Sequence, residues 1–211
     1  MAGLEPIITK QWDLAMSKER EDLKPSDRFP STALDIRERM RAATHTPHVR
    51  INRHPFIMGL TKPDFPLARY IAILQAYYPL YQAIETSIDA FLQRNAVAFE
   101  YVKKGPMLEA DLRYFMVLPQ TTSCVHSEAI TSLGQLMGVL YAIEGSTLGG
   151  QVIYRSLSNN LGLSKDSGAR FFYGYGDLTQ GRWADYLTFI HSISVDETIC
   201  QHAEASAIET F

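Results

Sequence analysis

Apolar residues along this chain recur at three- and four-residue steps, the spacing of one buried helical face, and no stretch alternates convincingly enough to be a strand. From Phe65 to Gln93, residues Leu67, Ile71, Leu74, Tyr78, Tyr81, Ile84, Ile88 and Phe91 form such a face, with a bend expected at Pro79. An earlier helix opens at a capping pattern, Thr32-Ala-Leu-Asp35, and buries Leu34, Ile36, Met40 and Ala43. Proline lacks an amide hydrogen and crowds the preceding turn, so a kink or restart is expected at Pro47. Pro106 and Pro119 bracket a shorter helix, MLEADLRYFMVL. No proline follows Pro119, which permits long helices. One is expected from about Ser127 to Leu161, a second from Gly181 to Ser192, and a last one after a capping box at Ser194-Val-Asp-Glu197, with a loop through Phe171–Tyr175 between the first two. The pattern predicts an all-α fold: one helical domain over residues 31–211, preceded by a polar, proline-bearing extension over 1–30.

Composition fits that picture and removes several function classes. A chain of 211 residues with 46% hydrophobic and 20% charged content can bury one substantial core. Its 20 basic and 23 acidic residues give a net charge of −3, with no basic run to track a phosphate backbone, so nucleic acid is not expected as a partner. No long apolar window or leader pattern points to a membrane, and the expected location is the cytoplasm. Two isolated cysteines, Cys124 and Cys200, indicate neither a disulfide framework nor a zinc site.

The most informative segment is LGQLMGVLYAIEGSTLGGQV, which sets five glycines in an otherwise helical stretch. Glycine inside a helix is worse than alanine by about 1 kcal/mol, so a cluster needs a reason. At about 100° per residue, Gly134, Gly138, Gly145 and Gly149 share one narrow arc, a bare stripe on which something flat or bulky can approach the backbone. Two bodies fit such a stripe: another helix packed closely, or a planar ligand lying on it, with Tyr141 near the same face and Ser146 at its border. Gly149 and Gly150 in succession also let the helix bend.

Six histidines are present, and His48 stands out through its neighbours. Arg41 lies two helical turns before it, so an imidazole and a guanidinium address one ligand. Haem asks for that pair: the iron takes the imidazole, and the propionates take a fork-shaped cation. A dinuclear carboxylate site needs two Glu-x-x-His steps, and the chain has none. A serine nucleophile lacks its Gly-x-Ser-x-Gly elbow.

Three blocks resemble the heme oxygenase family, in particular its bacterial, phytochrome-associated branch. IRERMRAATHTPHVRINRHPF is similar to the family's first helix, and the resemblance makes His48, after Ala43-Thr44, the proximal iron ligand. LYAIEGSTLGGQVI resembles the kinked distal helix, with Gly145, Gly149 and Gly150 on its glycines. ARFFYGYGDLTQGRWADYLTFI resembles the bacterial aromatic block and the Trp-containing helix after it. The resemblance implies oxidative cleavage of haem to biliverdin, carbon monoxide and ferrous iron. O2 and electrons from a ferredoxin or a flavoprotein reductase would be consumed, with a phytochrome as a possible bilin acceptor. It gives Gly145, Ser146 and Gly149 to the oxygen side, and it makes Arg41 and, more weakly, Arg182 propionate contacts; Tyr141 and Gly150 join the haem-binding set. Two positions depart from the common pattern: Ser146 replaces an aspartate that organises water, and Asn52 replaces a glutamate that holds the ligand histidine. These departures keep a second reading open, a haem-binding sensor or carrier without turnover.

Overall fold

The computed structural model describes residues 36–120, 129–193 and 196–211. The extension over 1–30, the capping pattern at 32–35 and Cys124 lie outside the described residues. Among the described residues are six helices and no strand: α1 (Ile36–Asn52), α2 (Leu67–Asn95), α3 (Gly105–Tyr114), α4 (Leu133–Leu161), α5 (Thr179–His191) and α6 (Glu197–Thr210). None is long and apolar enough to cross a membrane.

Helix α1 buries Ile36, Met40, Thr44 and His48 at four-residue steps, which aims one face inward along its length. It runs through Pro47 to Asn52 without the expected restart. The missing Pro47 amide removes one bond within the helix, while packing of the buried face on both sides holds the axis. Helix α2 likewise continues through Pro79. Its inward face begins at Tyr70, Ile73 and Leu74, whereas Leu67 is exposed. The Tyr70 hydroxyl donates to the Gly168 carbonyl at 2.8 Å and fixes that rotation.

Helix α3 is shorter than its proline brackets suggested, ending at Tyr114 with Met116 in a left-handed conformation at φ 56°. Its first amides find no cap in their own segment. Glu85 of α2 supplies one, accepting from the backbone N–H of Lys104 at 2.5 Å and of Gly105 at 3.2 Å. Helix α4 starts at a capping box formed by Ser132 and Gln135, not at Ser127, and stops at Gly162, whose φ of 66° suits glycine. The stretch expected as a loop holds a helical turn at Arg170–Tyr173 and a 3-10 turn at Gly176–Leu178. Asp196 caps α6 by accepting from Ile199 N–H at 2.8 Å, while Ser194 and Val195 of the expected capping box lie outside the described residues.

Helix α4 is the central element, and α6 lies along it at close range. A Cβ on Gly134 would stand 2.5 Å from the Ile199 carbonyl oxygen, and one on Gly138 would stand 2.2 Å from that of Ala203. These two glycines bring the backbones together, so the helix-packing occupant holds at this end of the stripe. Beyond it, Trp183 stacks on Tyr186 at 5.1 Å and meets Tyr141 edge-on at 5.8 Å, forming the aromatic centre of the core.

Candidate active site

A cavity that is partly open to solvent separates the C-terminal half of α1 from the middle of α4. His48 and Asn52 belong to its α1 wall, Ser146, Gly149 and Gly150 to its α4 wall, and Tyr81 of α2 and Phe171 of the helical turn also border it. The lining is mainly aliphatic and aromatic, with a few polar groups, which suits a flat apolar ligand with polar edges.

His48 is buried and edge-on to Phe211, with ring centroids 5.5 Å apart. Its Nδ1 lies 3.5 Å from the side-chain Nδ2 of Asn52, one turn later. His45, one turn earlier on α1, is exposed and does not border the cavity. On the opposite wall the Ser146 hydroxyl donates to the Ile143 carbonyl at 2.7 Å. A Cβ on Gly150 would come 3.4 Å from the Phe172 carbonyl oxygen, so the chain beside this wall is close on its far side too.

His48, Ser146, Gly149 and Gly150 therefore come together, while four other expected site residues stand elsewhere. Gly145 directs its missing side chain toward the Trp183 ring, 3.6 Å from an ideal Cβ. Tyr141 is fully buried against Trp183 and Tyr186. Arg41 and Arg182 do not border the cavity, and Arg182 pairs with Glu100 at 3.2 Å and lies over the Tyr175 ring. The stripe is one face of α4, but along its length that face meets α6, then Trp183, then the cavity.

Sequence reasoning missed the charge at the inner end. Lys104, just before α3, borders the cavity with a side chain only 2% exposed, and it pairs with Glu144 of α4, 3% exposed, at 2.7 Å. Tyr175 bonds both, accepting from Lys104 Nζ at 2.6 Å and donating to Glu144 at 2.9 Å. One signal was readable: Glu144 is the lone charge in the apolar run LMGVLYAIEGSTLGG.

The heme oxygenase family model matches residues 34–211. No curated protein sequence matches the chain. Among solved structures, the chain is similar to the NO- and CO-bound heme oxygenase of Neisseria meningitidis, with 20% identity, a TM-score of 0.69, and 84% of this chain and 87% of that one covered. A heme oxygenase from Leptospira interrogans gives 19% identity and a TM-score of 0.65 over 84% and 95% of the two chains. Heme oxygenase-1 from the cyanobacterium Synechocystis, solved with haem, gives 17%, 0.65, 84% and 87%. With every described residue inside the family match, the chain belongs to the heme oxygenase family.

Proposed function

We propose that the haem this enzyme degrades lies between α1 and α4 with His48 on its iron, and that it leaves as biliverdin, carbon monoxide and ferrous iron. The observation that carries this reading is the pairing of one buried histidine on one wall with the bare backbone of Gly149 and Gly150 on the other. Haem is substrate here, and its iron supplies the site at which O2 is reduced by electrons from outside.

The chain's own residues divide the remaining work. His48 offers Nε2 to the iron if Nδ1 carries the proton, and Asn52 fixes that tautomer when its amide oxygen is turned to Nδ1. Gly149 leaves room for a planar ring close to the helix, while Gly150, whose missing side chain faces the Phe172 carbonyl, lets the neighbouring chain approach. Ser146 orders water at the oxygen side without bringing a charge. Gly145 and Tyr141 support that wall from behind through Trp183. Propionates extend past the rim, where Arg41 and Arg182 are the cations assigned to them; Arg182 would exchange its exposed partner Glu100.

A ferredoxin or a flavoprotein reductase supplies the electrons, the bilin passes to a phytochrome as in the branch the sequence resembles, and the protein works in the cytoplasm. Adding hemin to the full chain tests the core of this reading. One hemin per chain with a histidine-ligated spectrum is expected, and His48→Ala should lose that spectrum while its helical signal stays. A reductant and O2 should then bleach the haem band and yield a red-absorbing bilin. Tightly bound haem left unchanged by a competent donor would make the protein a haem sensor or carrier instead.

A further inference from the structure

The cavity wall contains a buried charged cluster that haem ligation does not use. Lys104 Nζ donates to Glu144 Oε1 at 2.7 Å, to the Tyr175 hydroxyl at 2.6 Å and to the Val102 carbonyl at 3.2 Å. The rings of Tyr101 and Tyr175 flank the ammonium at 4.6 and 4.7 Å. Replacing a buried ion pair by apolar side chains of similar volume is commonly neutral or stabilising, so stability alone gives no reason for this one.

Reducing O2 consumes protons, and the other groups around the cavity are poor sources of them. Ser146, Thr147 and Thr210 are alcohols, and Asn52 has no titrating proton. Burial pushes the Tyr77 phenol up to about 12 and raises Tyr81 further. Lys104 differs, because burial lowers its hold on a proton while Glu144 and Glu85 raise it and Arg182 lowers it. Behind it a route leads outward. Glu144 is bonded to the half-buried Tyr175, and the Tyr175 ring lies under Arg182, whose partner Glu100 is at the surface.

Building on the haem reading above, we propose that Lys104 is the proton source of this cavity, reloaded from solvent through Tyr175 and Glu144. The N–H that reaches the Val102 carbonyl at 3.2 Å, the longest of the three bonds, turns to a cavity water; its bond at Nζ breaks, and the proton passes through that water to the oxygen being reduced. The Tyr175 hydroxyl takes a proton from bulk water as it hands its own to Glu144, and Glu144 passes that proton to neutral Nζ, so the phenol stays neutral throughout. Electrons come from the external reductant, and O2 is the oxidant. The charged and titrating groups around Lys104 are Glu144 on α4, Glu85 and Tyr81 on α2, Arg182 on α5, and Tyr101 and Tyr175 on the adjoining segments.

Lys104→Arg and Lys104→Met, both as full-length hemin complexes, test the assignment. Arginine keeps the charge but does not release a proton near neutral pH. Lys104→Arg should bind hemin as the parent does, keep the acid–alkaline midpoint of the ferric spectrum, and form bilin at least tenfold more slowly at pH 8. Lys104→Met should raise that midpoint by about one pH unit, since a nearby cation favours hydroxide on the ferric iron. Tyr175→Phe cuts the route without removing the charge and should slow bilin formation with hemin affinity unchanged; it also carries the test if the methionine variant does not fold. Lys104→Arg turning over at the parental rate from pH 6 to 9 would overturn the proposal, as would hemin affinity falling in step with turnover. Failure of the haem reading looks different: the parent would form no bilin, or His48→Ala would keep the parental spectrum. Even then an unmoved midpoint in Lys104→Met would count against Lys104.

Discussion

Gly138 and Gly149 lie on one face of α4 yet meet different neighbours, and substitutions at the two should separate accordingly. A Cβ at Gly138 would stand 2.2 Å from the Ala203 carbonyl oxygen and 2.8 Å from the Ala207 nitrogen, so Gly138→Ala must push α6 away. A loss of about 1–3 kcal/mol is expected, read as a melting temperature lower by roughly 2–4 °C per kcal/mol. Gly149→Leu places four carbons in the cavity instead. The protein without haem should stay folded, and hemin affinity should fall by the equivalent of about 1–3 kcal/mol. A destabilised Gly149→Leu that binds hemin normally would mean that the ligand lies elsewhere. For the propionate role proposed for Arg41, Arg41→Ala should weaken hemin binding; equal affinity would remove Arg41 from that role.

Among the elements, the turn at Arg170–Tyr173 shows how a distant carboxylate shapes the cavity. Asp111 of α3 accepts from the backbone N–H groups of Arg170 and Phe171, each at 2.8 Å, and so holds Phe171 and Phe172 at the cavity edge. Burial raises Asp111 from 3.8 to about 6, against the pull of those two amides and of Arg170. The folded chain thus binds this proton more tightly than the unfolded one does. The resulting stability is complete below about pH 4 and is lost as pH rises through about 6, by up to about 3 kcal/mol. Asp111→Asn should flatten that slope in a series of denaturant titrations between pH 4 and 7. An unchanged slope would assign it to other groups. It should also loosen the turn, because one amide oxygen replaces two carboxylate oxygens.

For the molecule as a whole, the C-terminal helix joins the two walls of the site. Arg39 of α1 grips α6 through Glu197, at 2.7 and 2.9 Å, and through Glu204. At the far end of α6, Phe211 meets His48. Arg39→Ala should lower stability by about 1 kcal/mol, a drop of roughly 2–4 °C, and the difference should shrink in high salt because Glu197 is exposed. A salt-independent difference would point to packing of the arginine stem rather than to the ion pairs.

The sequence by itself determined what depends on neighbours within a few turns: six helices at nearly their observed positions, the glycine-rich stretch as a special surface, and His48 as the histidine to watch. Periodicity and capping are local, and a short window of residues holds their whole cause. What lay outside that window was settled only by packing. The glycine stripe was divided among α6, Trp183 and the cavity because a helix as long as α4 passes several neighbours, and which one it meets at each turn is set by the other helices. α1 and α2 ran through Pro47 and Pro79 because burial on either side outweighs one missing hydrogen bond. The cluster of Glu85, Lys104, Glu144 and Tyr175 belongs to the same class. Its members come from four separate segments, of which only Glu144, the lone charge in an apolar run, carries a local signal, and their enclosure away from water turns scattered charges into one group.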